Sequence, residues 1–262
     1  MTNQGTLQGR IALITGGGRG IGRAISIGLA REGASVAISA RNQDEIDSVA
    51  EEIHGMGGTS LTMPGDLCAP GNPQQLVERT IRAFGTVDIL VNNAGVGSAL
   101  SPRPVADFDD EFWNLSLALN LTAPYLLCKA VLPEMLKKKK GRIINISSVA
   151  GKIGLLHASA YCASKHGLLG LTKALALEVA RDGITVNAIC PGPVRTAMSD
   201  ARLSYDAQRM GMPVDEVEAK MTPIGRRLVP EEIVPLAVLL ASDRSTAITG
   251  QAFNICGGVI MF

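Results

Sequence analysis

Two side chains that could exchange a proton, Tyr161 and Lys165, lie four residues apart in the segment Tyr-Cys-Ala-Ser-Lys. On a helix, residues four apart lie one turn apart on the same face. A phenol ordinarily has a pKa of about 10, and a neighbouring ammonium lowers that pKa because it favours the phenolate. Ser148 ends a hydrophobic segment shortly before this pair and adds a hydroxyl group. The sequence therefore predicts a proton-transfer site made of these three side chains.

A cluster of glycines follows the first apolar segment of the chain, between Thr15 and Gly22. Glycines between a strand and a helix let the backbone turn sharply and approach a pyrophosphate, while the helix N-terminus supplies unpaired N–H groups. The spacing, Thr-Gly-x-x-x-Gly-x-Gly, differs from the common G-x-G-x-x-G pattern. On its own, the cluster is compatible with a dinucleotide site or with simple packing of a strand against a helix.

Short apolar segments typical of strands alternate with longer helical segments along the whole chain. This alternation predicts a parallel sheet, and the continuous apolarity of the segments indicates that helices cover both faces. The expected fold class is α/β, a single doubly wound Rossmann-type domain over residues 1–262 with a seven-stranded parallel sheet. The predicted strands are Ile11–Thr15, Ser35–Ser39, Thr59–Met63, Val87–Val91, Arg142–Ile146, Thr185–Cys190 and Gln251–Ile255.

One segment departs from this alternation, a lid-like excursion at about 196–230. A connection of that length inside a compact domain is typical of a lid or a binding element. It contains four of the nine methionines, and their flexible thioethers form adaptable apolar covers, so we expect a lid over an apolar substrate. Gap-filling in an irregular segment is the alternative. The four are Met198, Met210, Met212 and Met221.

Most of the predicted strands end in glycine, proline or polar residues. In a doubly wound sheet, ligands bind at the carboxyl ends of the strands, so we expect the glycine cluster and the proton-transfer residues to meet at one edge. The strand endings are Ala40-Arg41, Gly65-Asp66, Asn92-Asn93-Ala94-Gly95, Ser147-Ser148 and Pro191-Gly192.

Charge and composition exclude several classes of partner. The chain carries 25 basic and 24 acidic residues, a formal net charge of +1, which argues against binding to nucleic acid or to an anionic membrane. Three histidines and five widely spaced cysteines argue against a metal site. The sequence begins with no basic and apolar leader. We expect a cytoplasmic protein whose partner is a small molecule.

Together, these motifs resemble the short-chain dehydrogenase/reductase family over essentially all 262 residues. The resemblance rests on the glycine cluster, the Asn-Asn-Ala-Gly segment, Ser148, the pair Tyr161 and Lys165, and the Pro-Gly segment, in this order. It implies hydride transfer between a nicotinamide cofactor and a carbonyl or alcohol substrate, with the protein supplying position and charge.

The resemblance also implies roles for individual side chains. Tyr161 would be the general acid in carbonyl reduction and the base in alcohol oxidation. Lys165 would lower the pKa of Tyr161 and bind the nicotinamide ribose, and Ser148 would hold the substrate oxygen. Asn120, which we expect near the start of a helix, would keep a water path to Lys165. An asparagine in this position is also an ordinary helix cap.

The predicted cofactor is NADP(H), with NAD(H) as the alternative. An acidic residue at the end of the second strand would repel a 2′-phosphate, but this chain has Ala40 there. Arg41 and Arg19 could hold that phosphate instead. By resemblance, Asp66 and Leu67 contact the adenine. The other residues assigned to the cofactor are Gly16, Gly18, Gly20, Ile21, Gly22, Asn93, Ala94, Gly95, Tyr161, Lys165, Pro191, Gly192, Val194 and Thr196.

Three residues are expected to line the substrate pocket: Leu155, His157 and Met198. The stretch from His157 to Met198, together with Asn254-Ile255-Cys256-Gly257-Gly258, is similar to bacterial ketoreductases that act on β-ketoacyl and polyketide carbonyls. The predicted reaction interconverts such a ketone, or a cyclic ketone, and a secondary alcohol by hydride transfer. The alternatives are an NAD(H)-dependent secondary-alcohol dehydrogenase working oxidatively and a non-catalytic dinucleotide-sensing module.

The helix predicted at about 160–180 has two apolar faces. One face carries Leu168, Leu175 and Val179 and should cover the sheet, whereas the other would be left in water unless a partner packed on it. We therefore expect a homo-oligomer, and the family resemblance suggests a homotetramer. The second face consists of Ala163, Gly167, Gly170, Leu171 and Ala174.

Overall fold

A parallel sheet lies at the centre of the structure, a computed structural model that describes residues 5–262. The sequence order of its strands reverses between β1 and β4, which creates a switch point. The predicted fold class is confirmed, and every predicted strand bound lies within two residues of the observed one. Across the sheet the strands are β3 (Ser60–Pro64), β2 (Ser35–Ala40), β1 (Ile11–Thr15), β4 (Ile89–Asn92), β5 (Gly141–Ile146), β6 (Ile184–Pro191) and β7 (Ala252–Ile255).

Helices cover both faces of the sheet and enclose a separate apolar core on each. Neighbouring residues of β1 point to opposite faces, so Ile14 belongs to one core and Leu13 to the other. This explains why the strands are apolar throughout. The helices are α1 (Gly20–Arg31), α2 (Gln43–Gly55), α3 (Asn72–Phe84), α4 (Asp110–Leu117), α5 (Ala123–Lys138), α6 (Ser159–Val179), α7 (Ala197–Met210), α8 (Val214–Lys220) and α9 (Val234–Ala241).

The helix that carries Asn120 begins earlier than predicted. It starts at Asp110, where the side chain of Asp109 accepts two backbone N–H groups, and it continues through a π-helical turn at Ala118–Thr122. The whole span, Asp110–Lys138, is long and apolar enough to cross a membrane by length and composition. Its inward side chains pack on the sheet, which accounts for much of that apolarity. The predicted helix start was wrong because the π turn continues the helix.

Charged side chains at the amino edge of the sheet are buried and paired. The guanidinium group of Arg142 donates to the carbonyl oxygens of Gly183 and Ser242, both at 3.2 Å. The carboxylate of Asp88 pairs with Lys138 and also accepts the first N–H group of β1 at 2.9 Å. These contacts tie the strands to the connections that precede them, on the side of the sheet opposite the predicted site.

Candidate active site

The glycine cluster forms a tight turn between β1 and α1. Gly16 has a backbone φ of +62°, which favours glycine, and a Cβ there would lie 2.9 Å from the Cα of Ala94. A Cβ on Gly22 would overlap the carbonyl oxygen of Gly16. The turn leads directly into the N-terminus of α1, where backbone N–H groups lack helical partners and favour anions.

A hydroxyl group joins the two strands at the switch point. Oγ1 of Thr15 accepts hydrogen bonds from the backbone N–H groups of Asn93, at 3.1 Å, and Ala94, at 3.2 Å. In return, Nδ2 of Asn93 donates to the carbonyl oxygens of Thr15 and Gly16, both at 3.0 Å. These bonds fix the end of β4 against the glycine turn. Sequence reasoning missed this role of Thr15, although a hydroxyl residue directly before the glycines was a signal.

The structure brings Tyr161, Lys165 and Ser148 together at the carboxyl end of β5. Lys165 is buried in α6, where its Nζ donates to the carbonyl oxygen of Ile146 at 2.9 Å and lies 5.8 Å from the ring centre of Tyr161. Ser148 follows β5, and it lines the same cavity as Tyr161. The helical spacing places the phenol and the ammonium on one face of α6, and the end of β5 adds the hydroxyl to the same small region.

Burial controls the acidity of the phenol. Removal from water raises the pKa of Tyr161 above its ordinary value, and the nearby Ser148 hydroxyl opposes that rise. Burial also lowers the pKa of Lys165 to about 8. The net pKa of Tyr161 is therefore raised by burial rather than lowered, and the lowering expected from Lys165 stays a prediction. The phenol stays protonated near neutrality, which suits a general acid.

The buried ammonium of Lys165 should make folding stability depend on pH. The pKa of Lys165 is about 8 in the folded protein, whereas the unfolded chain has the ordinary value of 10.5. Below pH 8 Lys165 is protonated in both states, so the cost of burying its charge is present in full. Between these values the unfolded chain binds more protons, and stability rises with pH. We expect the wild type to gain about 3 kcal/mol relative to Lys165→Met over this range.

Urea unfolding of both proteins at about pH 7.5 and pH 10.5 measures this gain, since other titrating groups are common to both and largely cancel. Parallel pH profiles of the two proteins would contradict the assignment of a burial cost to Lys165.

The side chain of Asn120 is buried and makes three hydrogen bonds. Its Oδ1 accepts the N–H of Val96 at 2.8 Å, and its Nδ2 donates to the carbonyl oxygen of Val96 at 3.0 Å and to Oγ of Ser164 at 3.1 Å. A Cβ on Gly95 would lie 2.9 Å from Oδ1 of Asn120 and 3.7 Å from Nζ of Lys165. Asn120 therefore lies close to the ammonium, behind the cavity wall. Ser164, which sequence reasoning missed, holds the amide in place.

A cavity of about 1160 Å³ opens along the carboxyl edge of the sheet. Every residue that the sequence analysis assigned to the cofactor lines it, from Arg41 and Asp66 past the glycine turn to Tyr161. The glycine turn leaves room for a pyrophosphate beside a helix N-terminus, and arginine side chains line the same space. These residues fit a nicotinamide dinucleotide, which would supply the hydride when bound.

The substrate end of the cavity differs from the prediction at one residue. Leu155 and Met198 line the cavity, but His157 does not. Nδ1 of His157 lies 2.6 Å from the hydroxyl oxygen of Tyr205, and the backbone of His157 has a φ of +55°. The assignment of His157 to the pocket wall is therefore not supported, because its ring nitrogen has a partner in α7.

The excursion after β6 is helical, and one arginine fastens it to two loops. Arg202 in α7 forms a bidentate pair with Asp206, at 2.8 and 3.1 Å. The same guanidinium donates to the carbonyl oxygen of Leu156 at 2.9 Å and to Oγ of Ser98 at 3.3 Å. Because Arg202 and Asp206 both line the cavity, they form a polar boundary next to its apolar wall.

Comparison with known proteins agrees with this geometry. The family model described as short chain dehydrogenase matches residues 10–206. A ketoacyl reductase named for the granaticin polyketide synthase of Streptomyces violaceoruber is 41% identical over 263 residues, which cover 97% of this chain and 94% of the relative. A D-beta-hydroxybutyrate dehydrogenase of Rhizobium meliloti is 38% identical over 255 residues, covering 95% and 98%.

Solved structures give the same result. The crystal structure of a variant of actinorhodin polyketide ketoreductase with NADPH matches with a TM-score of 0.90 and 37% identity, covering 95% of this chain and 97% of that one. Residues 10–206, which the family model matches, include the glycine turn, the switch point and the first turns of α6. The chain therefore belongs to the short-chain dehydrogenase family and is an oxidoreductase that interconverts ketones and alcohols with a nicotinamide dinucleotide.

Proposed function

We propose that this protein reduces a ketone to a secondary alcohol with NADP(H) and that Tyr161 donates the proton. The observation that carries the proposal is the meeting of Tyr161, Ser148 and Lys165 in the same cavity as Arg19 and Arg41. A protonated phenol at one end of the cavity and two cations at the other suit a carbonyl substrate and a phosphorylated dinucleotide, respectively.

Each of the site residues has a role that follows from its surroundings. Ser148, which lines the same cavity as Tyr161, would orient the carbonyl oxygen toward the phenol. Lys165, held by the carbonyl oxygen of Ile146, would bind the ribose hydroxyls and support charge on the phenolate that forms. Asn120, whose amide lies near Lys165, would keep a route for water to the ammonium. The proton lost by Tyr161 would be replaced along this route.

The preference for NADP(H) over NAD(H) rests on the arginines. Arg41 is exposed at the end of β2, directly after Ala40, and Arg19 is exposed at the N-terminus of α1. Guanidinium groups bind phosphate oxygens in bidentate geometry, and the absence of an acidic residue at position 40 removes the repulsion that disfavours a 2′-phosphate. The NADPH-bound relative is consistent with this preference.

The replacement Arg41→Asp should reverse the cofactor preference. Loss of a charge-assisted contact and gain of a repulsive carboxylate should weaken NADPH binding by about 10- to 100-fold, with little change for NADH. Fluorescence titration with both nucleotides measures the change. Arg79→Asp, on the exposed face of α3, alters the net charge equally and serves as the control. An unchanged ratio of the two dissociation constants would refute the role of Arg41.

The proposed substrate class is a β-ketoacyl, polyketide-like or cyclic ketone, free or attached to a carrier. Leu155 and Met198 give the cavity an apolar wall, and the segment 196–230 would act as a lid above it. Oxidation of NADPH and of NADH should be followed against β-ketoesters, β-ketoacyl thioesters, cyclic ketones and diketones. Faster turnover with NADPH and with longer apolar substrates is expected. Turnover of secondary alcohols alone, with NAD, would favour the oxidative alternative.

A cytoplasmic homotetramer is the proposed assembly. On α6, the predicted inner face is buried, whereas Ala163, Gly170 and Ala174 are exposed, and Leu177 extends the same exposed face. Exposed apolar side chains of α5 add to the surface that a partner could cover. Analytical ultracentrifugation at micromolar concentration should give four chains, and Leu177→Glu should lower that number. A monomeric wild type would contradict the proposal.

A further inference from the structure

The arginine in the glycine turn already has a partner of opposite charge. Nη1 of Arg19 lies 3.5 Å from Oε1 of Glu45, and both residues line the cavity that Arg41 also lines. The side chain of Arg19 is 71% exposed and that of Glu45 is 31% exposed. The cation can therefore move toward a ligand more readily than the carboxylate can withdraw.

Backbone contacts fix the position of Glu45. It lies in the first turn of α2, where its N–H group donates to the capping side chain of Asn42 at 3.3 Å. A Cβ on Gly18 would lie 2.8 Å from the Cβ of Glu45, so the glycine turn and α2 are in direct contact. The acidic group consequently stays beside the place where Arg19 would meet a phosphate.

We propose that Glu45 competes with the cofactor 2′-phosphate for Arg19 and thereby limits the preference for NADP(H). This inference rests on the proposed function, because it assumes that Arg19 is one of the phosphate-binding groups. A 2′-phosphate must either displace the Glu45 carboxylate from Arg19 or share the Arg19 guanidinium with it, and the two negative groups repel each other. A cofactor without that phosphate leaves the pair of Arg19 and Glu45 intact. Glu45 therefore acts as a specificity-determining residue that opposes only the phosphorylated cofactor.

The test is fluorescence titration of wild type and Glu45→Gln with NADPH and with NADH. An exposed ion pair such as that of Arg19 and Glu45 is weak, so its removal should have a small effect on binding. Glu45→Gln should therefore bind NADPH about two- to fivefold more tightly than the wild type, with NADH binding unchanged. Asp44→Asn is the matched control, since Asp44 lies in the same turn of α2 and makes no ion pair among residues 5–262. It should change the binding of either nucleotide much less.

A third variant separates the specific contact from a general change of charge. In an Arg19→Gln background, Glu45→Gln should no longer improve NADPH binding beyond the effect of Asp44→Asn. Equal tightening for NADPH and NADH, an equal effect of Asp44→Asn, or an effect that persists without Arg19 would each overturn the inference. A wild type that prefers NADH would refute the proposed cofactor, yet a selective gain for NADPH in Glu45→Gln would still support the role of Glu45.

Discussion

Replacement of Tyr161 by phenylalanine should lower the turnover of any reactive ketone by about 10²- to 10⁴-fold. The change removes one oxygen atom, the proton donor that faces Ser148, and keeps the aromatic ring next to the Lys165 side chain. Cofactor binding should remain close to that of the wild type, because the glycine turn and the arginines are untouched. Steady-state turnover together with NADPH titration separates the two effects.

The phenol of Tyr125 offers a matched control for this experiment. Tyr125 lies on the exposed side of α5, away from the residues that line the cavity. Tyr125→Phe should leave both turnover and NADPH binding unchanged. Wild-type turnover in Tyr161→Phe would show that another group protonates the substrate, and loss of NADPH binding would show that the hydroxyl holds the cofactor rather than the reacting carbonyl.

A second large effect is expected for Gly22→Ala, which should weaken NADPH binding by about 100-fold and lower the free energy of unfolding by about 1–3 kcal/mol. The added methyl group would overlap the carbonyl oxygen of Gly16, a backbone atom that no side-chain rotation can move away. The glycine turn would have to open, which displaces the N–H groups that would face a pyrophosphate. Titration with NADPH and urea unfolding measure the two quantities.

Gly55 provides the control for this substitution. It is the last residue of α2, and a Cβ there would meet nothing within 4 Å among the described residues. Gly55→Ala should leave NADPH binding unchanged and raise the free energy of unfolding by up to about 1 kcal/mol, because alanine loses less entropy on folding. NADPH binding by Gly22→Ala that matches the wild type would contradict the close packing of the glycine turn.

The sheet and the reacting trio could be predicted because both depend on local patterns. Continuous apolar segments identify strands that helices cover on both faces, whatever lies next to them in space. The helical period predicts that Tyr161 and Lys165 share one face of a helix. The apolar segment of β5 predicts where that strand ends, and therefore where Ser148 lies. The edge of a parallel sheet then brings them to the glycine turn without further information.

The remaining features depend on contacts between distant parts of the chain. Thr15 reaches Asn93 and His157 reaches Tyr205 across separations that no periodic pattern encodes. The acidity of Tyr161 follows from how completely the fold removes the phenol from water. The π turn that carries Asn120 continues a helix that sequence signals would divide.

The two edges of the sheet divide stability from chemistry. At the amino edge, Arg142 and Asp88 bind partners within the fold. Substitutions there should therefore change the melting temperature far more than the turnover rate. At the carboxyl edge, the cavity walls come largely from connections that the sheet does not need for its own pairing. Over evolution, such a chain can acquire a new substrate by altering Leu155, Met198 or the segment 196–230 while its scaffold stays the same. Folding constrains the residues of one edge, whereas the residues of the other edge can change with the substrate.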